Sequence, residues 1–244
     1  MNIVKALFGR ELKSYFATPV AYVFIVIFLV LMGTFTFYLG GFYERGQADL
    51  RAFFNFHPWL YLFLVPAIAM RLWAEERKTG SIELLMTLPV TPWQAVLGKF
   101  LAAWAFTGIA LAGTFPIWLT VNYLGDPDNG VIFAAYVGSL LMAGGFLAIG
   151  ACLSAVTRNQ VIAFVLSVVV CFGFIVAGLP LVLDLFSGWA PQVLVDGIAS
   201  LSFLTHFANI SRGVIDFRDL LFFALLIGAF LYANTIVLQW KQAD

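Results

Sequence analysis

Charge is scarce in this chain, and its placement is more telling than its amount. Asp, Glu, Lys and Arg make up 11% of the 244 residues, and six runs contain none of them: 20–41, 53–70, 100–124, 131–156, 161–183 and 220–238. At 62% hydrophobic, the chain has more apolar surface than a soluble domain of this length can bury. The excess has to face lipid. About 20 apolar residues span a bilayer as a helix, whereas a membrane β-barrel would show shorter, alternating segments. Six transmembrane helices are therefore expected.

Cysteine is nearly absent. Cys152 and Cys171 fall inside the fourth and fifth runs, where they read as small packing residues rather than a disulfide framework. Histidine is equally rare: His57 and His206 have no second ligand at metal spacing, so no metal site is expected. There is no G-x-x-x-x-G-K-[ST] loop to cradle phosphates, so this chain should bind no ATP and catalyse nothing itself. Nothing in the sequence calls for a nucleic acid. The absence of ionisable residues from the runs argues against an ion-coupled carrier, a channel or an intramembrane enzyme, and favours bulky or amphipathic cargo.

A signal peptide is the rival reading of the first run, because Lys5, Arg10 and Lys13 precede it. A run of this length is too long for a signal core, and no small-residue cleavage site follows, so it stays as a helix. Six spans divide the polar segments between two sides. One side holds Lys5, Arg10, Lys13, Arg71, Arg77, Lys78, Lys99, Arg158 and Lys241; the other holds only Arg45, Arg51, Arg212 and Arg218. Counted by the positive-inside rule, the first side is cytoplasmic. The expectation is a multi-pass protein of a bacterial inner membrane with both termini inside.

Residues 1–17 suggest a helix at the cytoplasmic interface, with Ile3, Val4, Leu7, Phe8, Leu12, Tyr15 and Phe16 apolar and Arg10 and Lys13 opposite. Glu11 projects from the apolar side, so it should meet a partner or the protein core. Pro19 sits where a first helical turn tolerates it. Pro58 and Pro66 predict a kink in the second span whose freed carbonyls neighbours must satisfy. Thr36, Thr107, Ser139, Ser154, Ser167, Asn234 and Thr235 read mainly as hydrogen-bond links between helices. The small residues of the fourth span, among them Gly138, Gly144, Gly145 and Gly150, allow close approach, either within the bundle or at a dimer seam. In the outer segment 184–219, Leu194, Ile198, Leu201, Leu204, Phe207 and Ile210 recur at three to four residues. They predict one or two short helices that dip into the outer leaflet or cover the mouth of a pathway, with a surface helix capping the bundle as the alternative.

The sizeable cytoplasmic loop is 71–99. Gly80 permits a turn, Ser81 can cap a helix, Glu83 falls in its first turn, and Pro89 stops it after about Leu88. Thr91, Pro92 and Gln94 then have the spacing of a capping box opening the next helix. The bracketed helix carries Ile82, Leu85 and Met86 on an apolar face, rimmed by Glu75, Glu76, Arg77, Lys78 and Glu83. Such a face suits docking into a groove on a cytoplasmic protein.

The run from Glu75 to Thr91, followed by Gly98 and Lys99, resembles the coupling-helix signature of type-2 ABC exporter permeases; Ser81 stands where Thr is usual. The stretches Arg10 to Tyr22 and Phe203 to Asp216 are similar to those of the gliding-motility-type ABC permease subunit. The resemblance runs nearly end to end. It implies an N-terminal elbow helix (1–19, with Arg10, Glu11 and Lys13), the coupling segment 71–99 and an extracytoplasmic segment 184–219. It assigns Glu75, Glu76, Arg77, Gly80, Ile82, Glu83, Leu85, Met86 and Pro89 to the ATPase-coupling interface. It also implies cytoplasmic ATPase subunits carrying ATP and magnesium, and either a second permease copy or a companion membrane subunit with a large extracytoplasmic domain. It does not imply gliding. The expected function is the membrane half of an ATP-driven exporter; the alternative is a subunit that transmits force to an extracytoplasmic partner without moving a solute.

Overall fold

The computed structural model describes residues 2–82, 89–188 and 190–240, and all regular structure among them is helical. Helix α1 (Asn2–Phe16) turns at Ala17 and Thr18 into α2 (Pro19–Thr34), which continues as a short π-helix, Phe35–Leu39. Thr18 is extended and Pro19 takes the first helical position, as the dipeptide predicts. The second apolar run is realised as α3 (Arg51–Asn55), α4 (His57–Ala69) and the charged α5 (Arg71–Thr79). The third becomes α6 (Pro92–Ala112) and α7 (Phe115–Leu124), and the fourth is the unbroken α8 (Asn129–Val156). Helix α9 (Gln160–Val176) bends by 84° into α10 (Pro180–Ser187). Helix α11 (Gln192–Ala199) bends by 59° into α12 (Phe203–Ser211), and α13 (Phe217–Trp240) completes the set.

Four helical stretches, Pro19–Leu39, Pro92–Leu124, Asn129–Val156 and Phe217–Trp240, are each long and apolar enough to cross a membrane, and the two bent pairs raise the number to as many as six. The molecule is an all-α multi-pass membrane protein. Several of its breaks follow proline. Pro116 and Pro180 lack the N–H that would bond four residues back and clash with that carbonyl, so α6 stops at Ala112 and α9 at Val176. The run 161–183 is thus shorter as a straight helix than the sequence suggests. Gly178 fits the bend because a Cβ there would lie 2.5 Å from the Ser202 hydroxyl. Ahead of Pro58 the chain breaks at Phe56, and the Phe53 carbonyl, which accepts from the Phe56 N–H, accepts a second hydrogen bond from His57 Nδ1 at 3.1 Å.

Helix α8 is the axis. It packs against α4, α5, α6, α9, α12 and α13, and its side chains are buried along most of its length. Its glycines face neighbours inside the protein: a Cβ on Gly138 would meet Ile210 of α12 at 2.8 Å, one on Gly144 would meet Trp104 of α6 at 3.0 Å, and one on Gly150 would meet Ala69 of α4 at 2.5 Å. Those three glycines therefore pack within the bundle. Helix α12 is likewise internal. Phe203 is fully buried among Phe146, Phe174, Phe222 and Phe223, whereas on α11 Val193 is 81% exposed.

The buried hydroxyls correct one expectation. Thr36, Thr107, Ser167 and Thr235 each donate to the carbonyl four residues earlier in their own helix, at 2.7, 2.9, 2.6 and 3.0 Å. A hydroxyl close to its own backbone finds that acceptor first, so these residues do not link helices. Ser139, bonded to Tyr61 of α4 at 2.9 Å, does link two, and so does Ser154. Gly150→Val should destabilise the solubilised protein by about 1–3 kcal/mol through overpacking. Gly173→Ala, on α9 with open space around it, should be neutral or stabilising by up to about 1 kcal/mol. Thermal unfolding in detergent compares the two.

Candidate functional site

The elements around segment 71–99 converge on one amine. Lys99 lies in the second turn of α6, and its side chain is only 5% exposed. Its Nζ is 3.1 Å from Glu11 Oε2 of α1 and 2.7 Å from Glu76 Oε1 of α5, and it stands 5.4 Å from the centroid of the Trp73 ring. Arg10 donates to the other Glu11 oxygen at 2.8 Å. Arg10, Glu11, Lys99 and Glu76 thus form a chain of alternating charges, neutral in sum, that ties three helices together. The anomaly of Glu11 on an apolar face is resolved: it meets the protein core.

Packing brings those charges into register. Leu7 of α1 is buried against Gly98, where a Cβ would lie 2.9 Å from the Leu7 Cβ, so α1 approaches α6 closely next to Lys99. Tyr15 stacks on Phe106 with ring centroids 5.1 Å apart, and Phe16 meets the same ring edge-on. The start of α6 is fixed by the predicted capping box, with the Gln94 N–H donating to Thr91 Oγ1 and the Thr91 N–H to Gln94 Oε1. Burial pushes the Glu11 carboxyl up, but the charge of Lys99 and the hydrogen bonds from Arg10 and Lys99 outweigh it and hold the carboxyl below its ordinary value.

Helix α5 is anchored from its other side by Ser154 of α8. The fully buried Ser154 hydroxyl accepts from the N–H groups of Trp73 and Ala74 at 3.1 and 3.0 Å and donates to the Met70 carbonyl at 2.8 Å. It stands in the hydrogen-bond ladder where α4 gives way to α5, a recognised cause of helix bending. Arg77 donates to the Ala155 carbonyl, capping the end of α8. Burial and the neighbouring Arg158 hold its guanidinium below the ordinary value.

The remaining predicted residues are placed as follows. Glu75 pairs with Arg71 at 3.0 Å, both partly exposed. Gly80 ends α5 in the left-handed conformation, φ 74°, which a residue with a Cβ rarely adopts. Ile82 packs against the core while Pro89 and Lys13 are exposed. Glu83, Leu85 and Met86 lie outside the described residues, as does most of the bracketed helix expected over 81–88. Trp73 and Ser154 carry no site role in the sequence reading, and Lys99 enters it only as the end of the coupling-helix signature, with no partner assigned. Its place immediately before the uncharged run 100–124 was the available signal.

A second buried polar group lies at the opposite end of the bundle. His206 Nε2 donates to the Ser200 carbonyl at 2.8 Å, its Nδ1 is 2.6 Å from Asp219 Oδ1, and its ring stacks on Phe222 at 4.0 Å. It pins α12 to the first turn of α13. Among the described residues no three His, Cys, Asp or Glu side chains gather to hold a metal ion.

A helical membrane bundle whose charged groups serve as anchors has the character of a multi-pass permease, consistent with an inner-membrane location. The chain belongs to the ABC-2 family transporter proteins, whose profile matches residues 6–238. Members of this family are typically non-catalytic membrane subunits. No curated protein matches the chain.

Two outcomes test the junction. Lys99→Met leaves Glu11 and Glu76 facing each other in a half-buried site and should cost about 3–5 kcal/mol in denaturant unfolding, while Lys99→Met with Glu76→Gln should cost less. Glu11 has a depressed folded pKa, so its contribution is present above the ordinary value of 4.5 and is lost as pH falls through the folded value. Lys99→Met should remove that contribution to acid sensitivity. Separately, Ser154→Ala should destabilise by about 1–3 kcal/mol, because buried backbone groups lose their partner.

Proposed function

We propose that this permease is the membrane half of an ATP-driven exporter, moved by separate cytoplasmic ATPase subunits that dock on segment 71–99. The single observation that carries the reading is the buried Lys99 junction. A load applied to the segment reaches α5 at Gly80 and α6 at Thr91, and the same ammonium ties both to α1. In this reading α1 is the elbow helix, 81–88 the coupling helix, and both termini are cytoplasmic. Glu75 and Glu83 are assigned to the ATPase contact, with Leu85 and Met86 as its apolar part, while Arg77 and Ile82 seat the segment on the bundle and Glu76 relays to Lys99. The stretches Arg10 to Tyr22 and Phe203 to Asp216 support the gliding-motility-type branch, with a second permease copy or a companion membrane subunit completing the assembly.

ATP can drive such a subunit only if the ATPase binds two permease conformations differently. A coupling free energy of this kind commonly amounts to about 5- to 150-fold. Glu76→Lys should therefore lower transport per ATP hydrolysed by roughly tenfold in the reconstituted complex, and Glu75→Lys and Glu83→Lys should also uncouple. Unchanged rates in all three would overturn the assignment. Robust hydrolysis with no solute moved by the wild-type complex would assign the force-transmitting role instead.

A further inference from the structure

At the end of the bundle opposite α1 and α5, a cavity of about 590 Å³ opens between the loop before α3, the start of α8 and α12. Its volume falls within the range of small-molecule sites, about 300–1,000 Å³. Phe54, Pro58, Ile132, Ala135, Leu204 and Phe207 supply much of its lining, beside the polar Asn55 and Ser211. Its lining also carries Arg51 and Arg212, two of the four arginines on that side of the sequence, together with Asp49 and Asp128.

The acids and the arginines are not equally available. Asp128 Oδ1 accepts from the Gly130 and Val131 N–H groups at 2.9 and 3.2 Å, capping α8. Asp49 Oδ1 accepts from the Arg51 N–H at 3.1 Å, and its Oδ2 is shared at 3.8 Å between Arg45 and Arg51. Both carboxylates are thus engaged by backbone donors. Arg212, by contrast, makes no ion pair or side-chain hydrogen bond among the described residues, and the Arg51 side chain is 75% exposed with only that long contact. The lining thus offers two exposed guanidinium groups with spare donors beside an apolar surface. A guanidinium matches a carboxylate or phosphate through paired N–H donors.

We infer that this cavity binds an anionic amphiphile, with a carboxylate or phosphate head held by Arg51 and Arg212 and an alkyl chain among Phe54, Leu204 and Phe207. The inference does not depend on the ATPase assignment, because binding is measured on the permease alone. The ligand chemistry has two sources, a lipid of the surrounding leaflet or a cargo molecule.

The test uses the full chain in nanodiscs of phosphatidylcholine and a photoactivatable fatty acid, with the corresponding fatty alcohol as the neutral probe. The fatty acid should label peptides of α4, α8 or α12 bordering the cavity, and the alcohol should label them at least tenfold less. Arg51→Gln with Arg212→Gln should weaken fatty-acid labelling there by at least tenfold, whereas Arg218→Gln, on the same side but outside the cavity, should not. Arg51→Lys with Arg212→Lys keeps the charge and guards against misfolding; it should retain part of the labelling. Equal labelling by acid and alcohol, or undiminished labelling in the double Gln variant, overturns the site. Competition by phosphatidylglycerol added to the nanodisc identifies a leaflet lipid as the source; labelling that resists it identifies a cargo molecule.

Discussion

An ammonium group taken out of water must keep its counter-charges, and much of the architecture around segment 71–99 follows from that one requirement. Removing a charge from water costs several kcal/mol even after relaxation, so Lys99 is stable only where carboxylates reach it. Glu11 and Glu76 are the carboxylates that do, and they belong to different helices. The arrangement therefore constrains three backbones at once. Arg10 completes the neutralisation on the exposed side, and Trp73 lies near the charge with an aromatic face. The surrounding apolar contacts, Leu7 on Gly98 and Tyr15 on Phe106, are nonspecific in chemistry, whereas the ion chain is specific in register.

Against this, α8 supplies a second and different kind of constraint. It has no charged side chain of its own, and it controls its neighbours through glycines that admit them closely and through a few hydroxyls. Gly150 lets α4 approach, Ser139 bonds Tyr61 on that same helix, and Ser154 holds the turn into α5. Arg77 returns the contact by closing the end of α8. Helix α5 is thus held by an ion pair on one side and by hydrogen bonds on the other.

Most of the helical plan was legible in the sequence because uncharged length and proline are local signals. The Thr91–Gln94 cap, the Pro19 start and the Gly80 stop depend on residues within a turn of one another. The unusual position of Glu11 on an apolar face was also legible, although its partner was not: Lys99 is 88 positions away in sequence, and no spacing rule joins them. The Ser154 contact was hidden for the same reason. The hydroxyls were misread because composition shows that a threonine lies in a span and not which carbonyl is nearest. Helix α12 read equally well as a surface or pathway cap, since the periodicity of Leu204, Phe207 and Ile210 defines a face without saying what covers it. The His206–Asp219 pair was not legible because a single imidazole needs only one carboxylate and one carbonyl, a requirement that leaves no spacing pattern in the sequence.

The Ser154 hydroxyl carries a mechanical implication of its own. Around Met70 it replaces local backbone bonding with a shared node: two amides give to it and one carbonyl takes from it. Withdrawing the hydroxyl strips all three groups of their partner together. The break between α4 and α5 at Met70 thus rests on one side chain of α8, which couples the seating of three backbone groups in one segment to the position of another helix.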